Sequence, residues 1–109
     1  MSSEVYAVKI SVDSASSTAT TSGEHFGAVV CVFADNNIDG DRTLSSITDS
    51  NGMDILGNAT LAAISASSGT AQYEQTELGG TACSGNLTIT TTDSAGSSGN
   101  LDVYVYIAP

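Results

Sequence analysis

The sequence predicts an all-β fold: a single antiparallel β-sandwich or small barrel of about seven or eight short strands, closed by a C-terminal hairpin. Three observations lead there. First, Leu101, Val103, Val105 and Ile107 alternate with Asp102, Tyr104, Tyr106 and Ala108, the period-two signature of a strand with one buried face. Second, about 30 residues are Ser or Thr and 11 are Gly, while Lys and Arg total 2; Thr favours strands, and Ser and Gly favour turns. Third, the only Pro is the last residue, so no strand interior is broken by a missing amide donor.

Taken in order, the elements follow from the same pattern. In Glu4 to Val12, Tyr6, Val8, Ile10 and Val12 take one face, and Val5, Ala7, Lys9 and Ser11 the other. Asp13 to Glu24 is a tract of small and polar residues, read as a long loop or a weakly held edge strand. His25 to Phe33 is nearly continuous apolar, which suggests a central strand buried on both faces. Asp35 to Arg42 is turn-rich. Thr43 to Thr48 is a short strand, followed by the turn residues Asp49-Ser50-Asn51-Gly52.

Met53 to Ala66 reads either as a helix with Leu56, Thr60, Leu61 and Ile64 on one stripe or as a strand over Thr60 to Ile64; Gly57 and Asn58 interrupt the helix and favour the strand. Ser67-Ser68-Gly69 turns the chain. Ala71 to Leu78 is expected to be an exposed strand whose charges discourage edge-to-edge pairing. Thr81-Ala82-Cys83 is a short strand or bulge. Leu87, Ile89 and Thr91 alternate with Thr88, Thr90 and Thr92, and the polar stretch Asp93 to Asn100 joins this run to the final strand as a long-looped hairpin.

Length and charge narrow the function. At 109 residues the chain is one domain, 1–109, with a core of small aliphatics, so an oligomer that buries further surface is expected. The net charge of −10, with Lys9 and Arg42 as the only cations, argues against nucleic acid and against anionic membranes. No apolar stretch approaches the ~18 residues of a membrane span, and no basic start followed by an apolar run marks a signal peptide. Cys31 and Cys83 permit a disulfide. They equally fit two reduced thiols packed as small hydrophobes, which a reducing site of synthesis favours. Asn58-Ala59-Thr60 and Asn86-Leu87-Thr88 match the glycosylation sequon, as a Ser/Thr-rich chain does by chance.

Two groups of residues carry candidate chemistry. Asp35-Asn36-Asn37-Ile38-Asp39-Gly40-Asp41 matches the first half of a calcium loop, with Asp35, Asn37, Asp39 and Asp41 as candidate ligands. Ser46 stands where the twelfth-position Glu would be, and the flanks read as strands, so the loop is not an EF-hand; the other reading is a polar turn. No cofactor is expected beyond calcium at this loop. Tyr104 and Tyr106, on the outer face of the last strand, and Tyr73, on the exposed strand, are candidates for a partner interface, where Tyr is enriched. The sole histidine, His25, has no motif around it. No serine sits in a nucleophile elbow, and no glycine-rich loop has the Lys of a phosphate site. An enzyme is not expected.

The start in a strand, the Ser/Thr/Ala/Gly-rich and Lys/Arg-poor composition and the closing run Gly99-Asn100-Leu101-Asp102-Val103-Tyr104-Val105-Tyr106-Ile107 together resemble small accessory structural proteins of tailed bacteriophages, most of all capsid decoration (cement) proteins. That resemblance implies a virion protein that decorates and stabilises the outer capsid surface. Its partner would be the major capsid protein or another virion protein, it would be a homo-oligomer, commonly a trimer, and it would be made in the host cytoplasm without a signal peptide. It carries over no individual site residue. The same composition also fits an extracellular β-sandwich module for a glycan or receptor, with or without calcium, or a tail or head-fibre domain.

Overall fold

The computed structural model describes residues 4–57, 61–75, 78, 82–92 and 96–109. These residues form eight strands: β1 Tyr6–Asp13, β2 Thr18–Thr20, β3 His25–Asn36, β4 Thr43–Thr48, β5 Gly69–Glu74, β6 Ala82–Gly85, β7 Thr88–Thr92 and β8 Asn100–Ala108. They make two antiparallel sheets. The larger runs β1-β8-β3-β5, with β6 on the same side of β3 as β5; the smaller runs β2-β7-β4. The fold is the expected all-β sandwich rather than a closed barrel.

The apolar alternation decides which side of each strand enters the core. Val8, Ile10 and Val12 of β1 and Leu101, Val103, Val105 and Ile107 of β8 face inward, opposite Ile89 of β7 and Leu44 and Ile47 of β4. Each buried aliphatic contributes about 1.5–3 kcal/mol against the entropy of ordering the chain. β8 sits between β1 and β3, with Val105 level with Val8 on one side and Val32 on the other.

Several expectations are corrected. The two C-terminal strands are not a hairpin: β7 pairs with β2 and β4, whereas β8 pairs with β1 and β3. The connection between them crosses from one sheet to the other, and a span of about 10 Å between stacked sheets requires a longer link than a two-residue turn. β3 is central but not buried on both faces. Val29, Val32 and Ala34 face the core, while Ala28, Cys31 and Phe33 are half-covered on the outside. A register shift between Val29 and Cys31 inserts one extra residue, a bulge, so the run reads as unbroken apolar sequence while its faces swap phase.

Of the strand expected over Thr60 to Ile64, the described residues Leu61 to Ile64 form none. Residues 58–60, including the first sequon, lie outside the described residues, and Ile64 makes only an isolated bridge to Arg42. The tract after Asp13 contains the edge strand β2, and the exposed strand expected at Ala71 to Leu78 spans Gly69–Glu74 instead.

The turns are as expected, with particular chemistry. Asp49 accepts from the Asn51 and Met53 amides through one carboxylate oxygen and from the Ser84 amide through the other. Ser67 and Ser68 both have positive φ, 56° and 97°, uncommon for residues with a Cβ. Asn86, the second sequon, is a brace: its amide donates to the Thr21 and Gly23 carbonyls.

Candidate functional site

The outer face of the larger sheet is the most chemically varied surface of the molecule, and the strand registers order it into rows. One row is Lys9, Tyr104, Phe33 and Gln72; the next is Ala7, Tyr106, Cys31 and Glu74; a third is Ser11, Asp102, Asp35 and Thr70. The rows exist because β1, β8, β3 and β5 all place alternate residues inward. Tyr104 and Phe33 face each other with ring centroids 6.2 Å apart and planes tilted by 38°, a favourable aromatic arrangement. Both are half-buried, as is Tyr106. Phe26, outward on the same strand before the bulge, is 56% exposed.

Tyr104 and Tyr106 thus lie where the sequence places them. Tyr73 does not. It is 5% exposed and points into the core level with Val32, because Gln72 and Glu74 take the outer positions of β5. Phe33 replaces it as the third ring of the surface. Its signal was its phase: it lies two residues from half-buried Cys31 and one from inward Val32.

The candidate calcium ligands are dispersed rather than convergent. Asp35 belongs to β3, on the outer face opposite Asp102 and Thr70. Asn37 is exposed and its amide donates to the Asn100 carbonyl. Asp39 accepts from the Ser97 amide at 2.6 Å, the Ser97 hydroxyl at 3.0 Å and the Ser98 amide at 3.1 Å. Asp41 accepts from the Ala66 amide. Among the described residues no three His, Cys, Asp or Glu side chains cluster as a metal site. The three donors on Asp39 hold its carboxyl below the usual carboxylate range, so this residue ties one loop to another. Close contact makes that tie possible: a Cβ at Gly99, whose φ is +94°, would meet the Asn37 carbonyl.

The residue that organises this loop is Asn36, fully buried at the end of β3. Its side-chain amide donates to the Gly40, Ile64 and Ser65 carbonyls, and its oxygen accepts from the Ile38 amide. Arg42 is likewise 0% exposed. Its guanidinium donates to the Ser14 and Ser16 carbonyls and to the Thr91 hydroxyl; Nε has no partner among the described residues. One of the chain's two cations is therefore inside, and Lys9 alone remains to face solvent.

His25 stands at the start of β3, with Nδ1 3.4 Å from the Tyr6 hydroxyl. Both cysteines are free and face opposite sides of the larger sheet. Burial, then the nearby charge of Glu74, raises the Cys31 thiol; burial, then Asp49, raises that of Cys83. Both are therefore protonated and weakly nucleophilic at neutral pH. What this face offers chemically is recognition: aromatic and small apolar contacts flanked by one ammonium and three carboxylates. Compared with protein-family models, curated proteins and solved structures, the chain finds no match in any of the three.

Proposed function

We propose that the chain is a structural virion protein that decorates the outer surface of a phage capsid and braces it, docking through the outer face of the larger sheet as a small homo-oligomer. The observation that supports this reading is the half-exposed group of Phe33, Tyr104 and Tyr106, in two adjacent rows on the outer face of the larger sheet, in a sandwich whose only exposed Lys or Arg is Lys9. Half-exposed tyrosines suit a protein interface. A surface so poor in Lys and Arg attaches by apolar and backbone contacts rather than by ion pairs of its own cations. The edge strand β1 adds a row of main-chain groups for strand addition.

The test is to mix purified protein with undecorated capsids and count the copies bound at low and high salt. Saturation at a fixed copy number, little changed by salt because charge attraction is screened beyond about 8 Å at physiological ionic strength, supports the reading. Tyr104→Ser and Tyr106→Ser should then lower occupancy. No binding to any matured shell of the source phage, or binding of a glycan instead, overturns it in favour of an extracellular module.

A further inference from the structure

The chain covers one sheet edge with its own residues and leaves another bare. Beside β4, the Ile55 amide donates to the Ile47 carbonyl at 2.7 Å, and Arg42 and Ile64 exchange main-chain bonds of 3.1 and 2.6 Å. β1, by contrast, ends the larger sheet, with β8 as its one neighbour there. The Ser14 amide donates to the Gly99 carbonyl, and the register runs on from Asp13 opposite Asn100 to Tyr6 opposite Ile107. Alternate pairs of an antiparallel ladder exchange bonds, so Val12, Ile10 and Val8 bond to β8. The Asn100 carbonyl fits this phase, since it turns away from β1 to accept from the Asn37 amide. Ala7, Lys9, Ser11 and Asp13 therefore aim their main-chain groups out of the sheet. Of those groups, only the Asp13 carbonyl has a partner among the described residues, the Ser16 amide at 2.9 Å.

The side chains of the same four residues are exposed on the outer face. They include Lys9, the only exposed Lys or Arg, and the carboxylate of Asp13. An antiparallel strand can meet a copy of itself across a two-fold axis. To keep inner face beside inner face, odd-numbered residues must lie opposite odd-numbered ones, because a one-residue slip reverses every side chain. Centred on Lys9, such a pair opposes two ammoniums, which is destabilising. Centred on Ile10, it sets Lys9 against Ser11, whose hydroxyl already donates to Asp102 at 2.6 Å. Centred on Ser11, it sets Lys9 against the partner's Asp13, once on each side of the axis. The strand is thus complementary in charge to itself in one register.

We propose that β1 pairs antiparallel with β1 of a second copy, about a two-fold axis through Ser11. The Ser11 main chains exchange two bonds, and each Asp13 amide donates to the partner's Lys9 carbonyl, about four bonds in all. On the inner phase Ile10 meets the partner's Val12, so the two cores abut along one line. A lysine on an edge strand ordinarily discourages pairing. Here the chain's charge of −10 repels a second copy in general, and Lys9 opposite a carboxylate admits it in this register. Exposed ion pairs add little affinity; these choose the register, and the main chain holds it. The axis is normal to the sheet, so both outer faces lie on one side of the dimer. The contact names the copy-to-copy joint of the homo-oligomer in the docking reading, rests on that reading for its purpose, and gives bivalent attachment to a repeating shell.

The test is the mass of the free full chain by sedimentation over a dilution series. Wild type should be a dimer that dissociates on dilution. Lys9→Glu should weaken it about ten-fold, since it sets like charges opposite each other twice, and adding Asp13→Lys to that variant should restore it. Ser11→Cys should form a covalent dimer under mild oxidation, because the Cα atoms of a bonded pair lie about 5.5 Å apart, within disulfide reach; Ala7→Cys should not. All these positions are exposed, so the variants should melt close to wild type. A monomeric or trimeric wild type, a Lys9→Glu dimer as tight as wild type, a double variant as weak as Lys9→Glu, or equal cross-linking at the two cysteine variants would overturn the proposal. A monomer that still saturates capsids sinks this pairing and leaves docking intact; a dimer of this register that binds no shell does the reverse.

Discussion

The two sheets have inner faces that are both mainly aliphatic and outer faces that share almost nothing. Inside, the larger sheet presents chiefly Val, Ile and Leu, and the smaller Ala19, Leu44, Ile47 and Ile89 beside the buried Thr91. Outside, the larger sheet mixes rings, carboxylates, a lysine and a thiol, whereas the smaller shows Thr and Ser alone. Packing constrains one residue in two along each strand. The other is free, and here it has been specialised differently on the two sides of one core.

That comparison can be broken most severely from within. Val105→Asp in the larger sheet and Ile89→Asp in the smaller each put a carboxylate at a fully buried position, a change that is strongly destabilising. Neither variant should show a cooperative unfolding transition. A folded Ile89→Asp protein would mean that the smaller sheet is a dispensable cover.

Arg42→Ala comes next. It deletes hydrogen bonds from a charged donor that join the Ser14 to Ser16 segment to β7, worth about 1.5–3 kcal/mol each for charged groups. Urea unfolding should show a loss of at least about 3 kcal/mol. Arg42→Met, which keeps the bulk and removes a buried charge, should recover part of it.

Outer positions should matter less to the isolated chain. Tyr104→Ser removes one half-buried ring and its contact with Phe33, for about 1 kcal/mol of stability, yet should weaken association markedly. Equal loss of monomer stability from Tyr104→Ser and Val105→Asp would erase the distinction between faces.

The smallest effect concerns Asp39. Its carboxyl is held below the ordinary range by Ser97 and Ser98. Its contribution is therefore present above the unfolded-state value and lost as pH falls through the depressed one. Asp39→Asn should flatten that part of the acid limb of the melting temperature and change little near pH 7. Millimolar calcium should leave the melting temperature of wild type where it is, since a ligand stabilises only by binding the folded state; a rise would show that the loop gathers its carboxylates around an ion.

Which strands exist, and which side of each is apolar, was legible because period two is a local property. The faces of β1, β7 and β8 follow directly from their alternation. Strand neighbours were not legible: alternation says which side is buried and nothing about what lies alongside, so β7 and β8 looked like a hairpin. Tyr73 was misplaced because the charges around it drew attention to exposure when its phase with Ala71 pointed inward. Arg42 and Asn36 left no mark in the sequence. Their partners are mostly main-chain carbonyls up to 29 positions away, and a carbonyl is the same whichever residue carries it. The Asp35 to Asp41 run satisfied a ligand spacing, but β3 continues through Asn36 and carries Asp35 away from the loop.

The position of β8 has a consequence for how the chain comes to be folded. This strand is synthesised after the other seven, yet it fills the gap between β1 and β3. Until it arrives, β1 lacks the partner that spans its whole length, and the side of β3 it will occupy is open. The larger sheet cannot assemble progressively as the polypeptide emerges; it must wait, with β1 lacking its sheet partner and one edge of β3 open, for a segment some ninety residues downstream of β1. Pairings so distant in sequence make for slow folding, in the millisecond-to-second range typical of all-β domains, and expose edges that invite aggregation meanwhile. Refolding from urea should therefore be slow, and a chain truncated before Asn100 should precipitate rather than settle into a smaller sandwich.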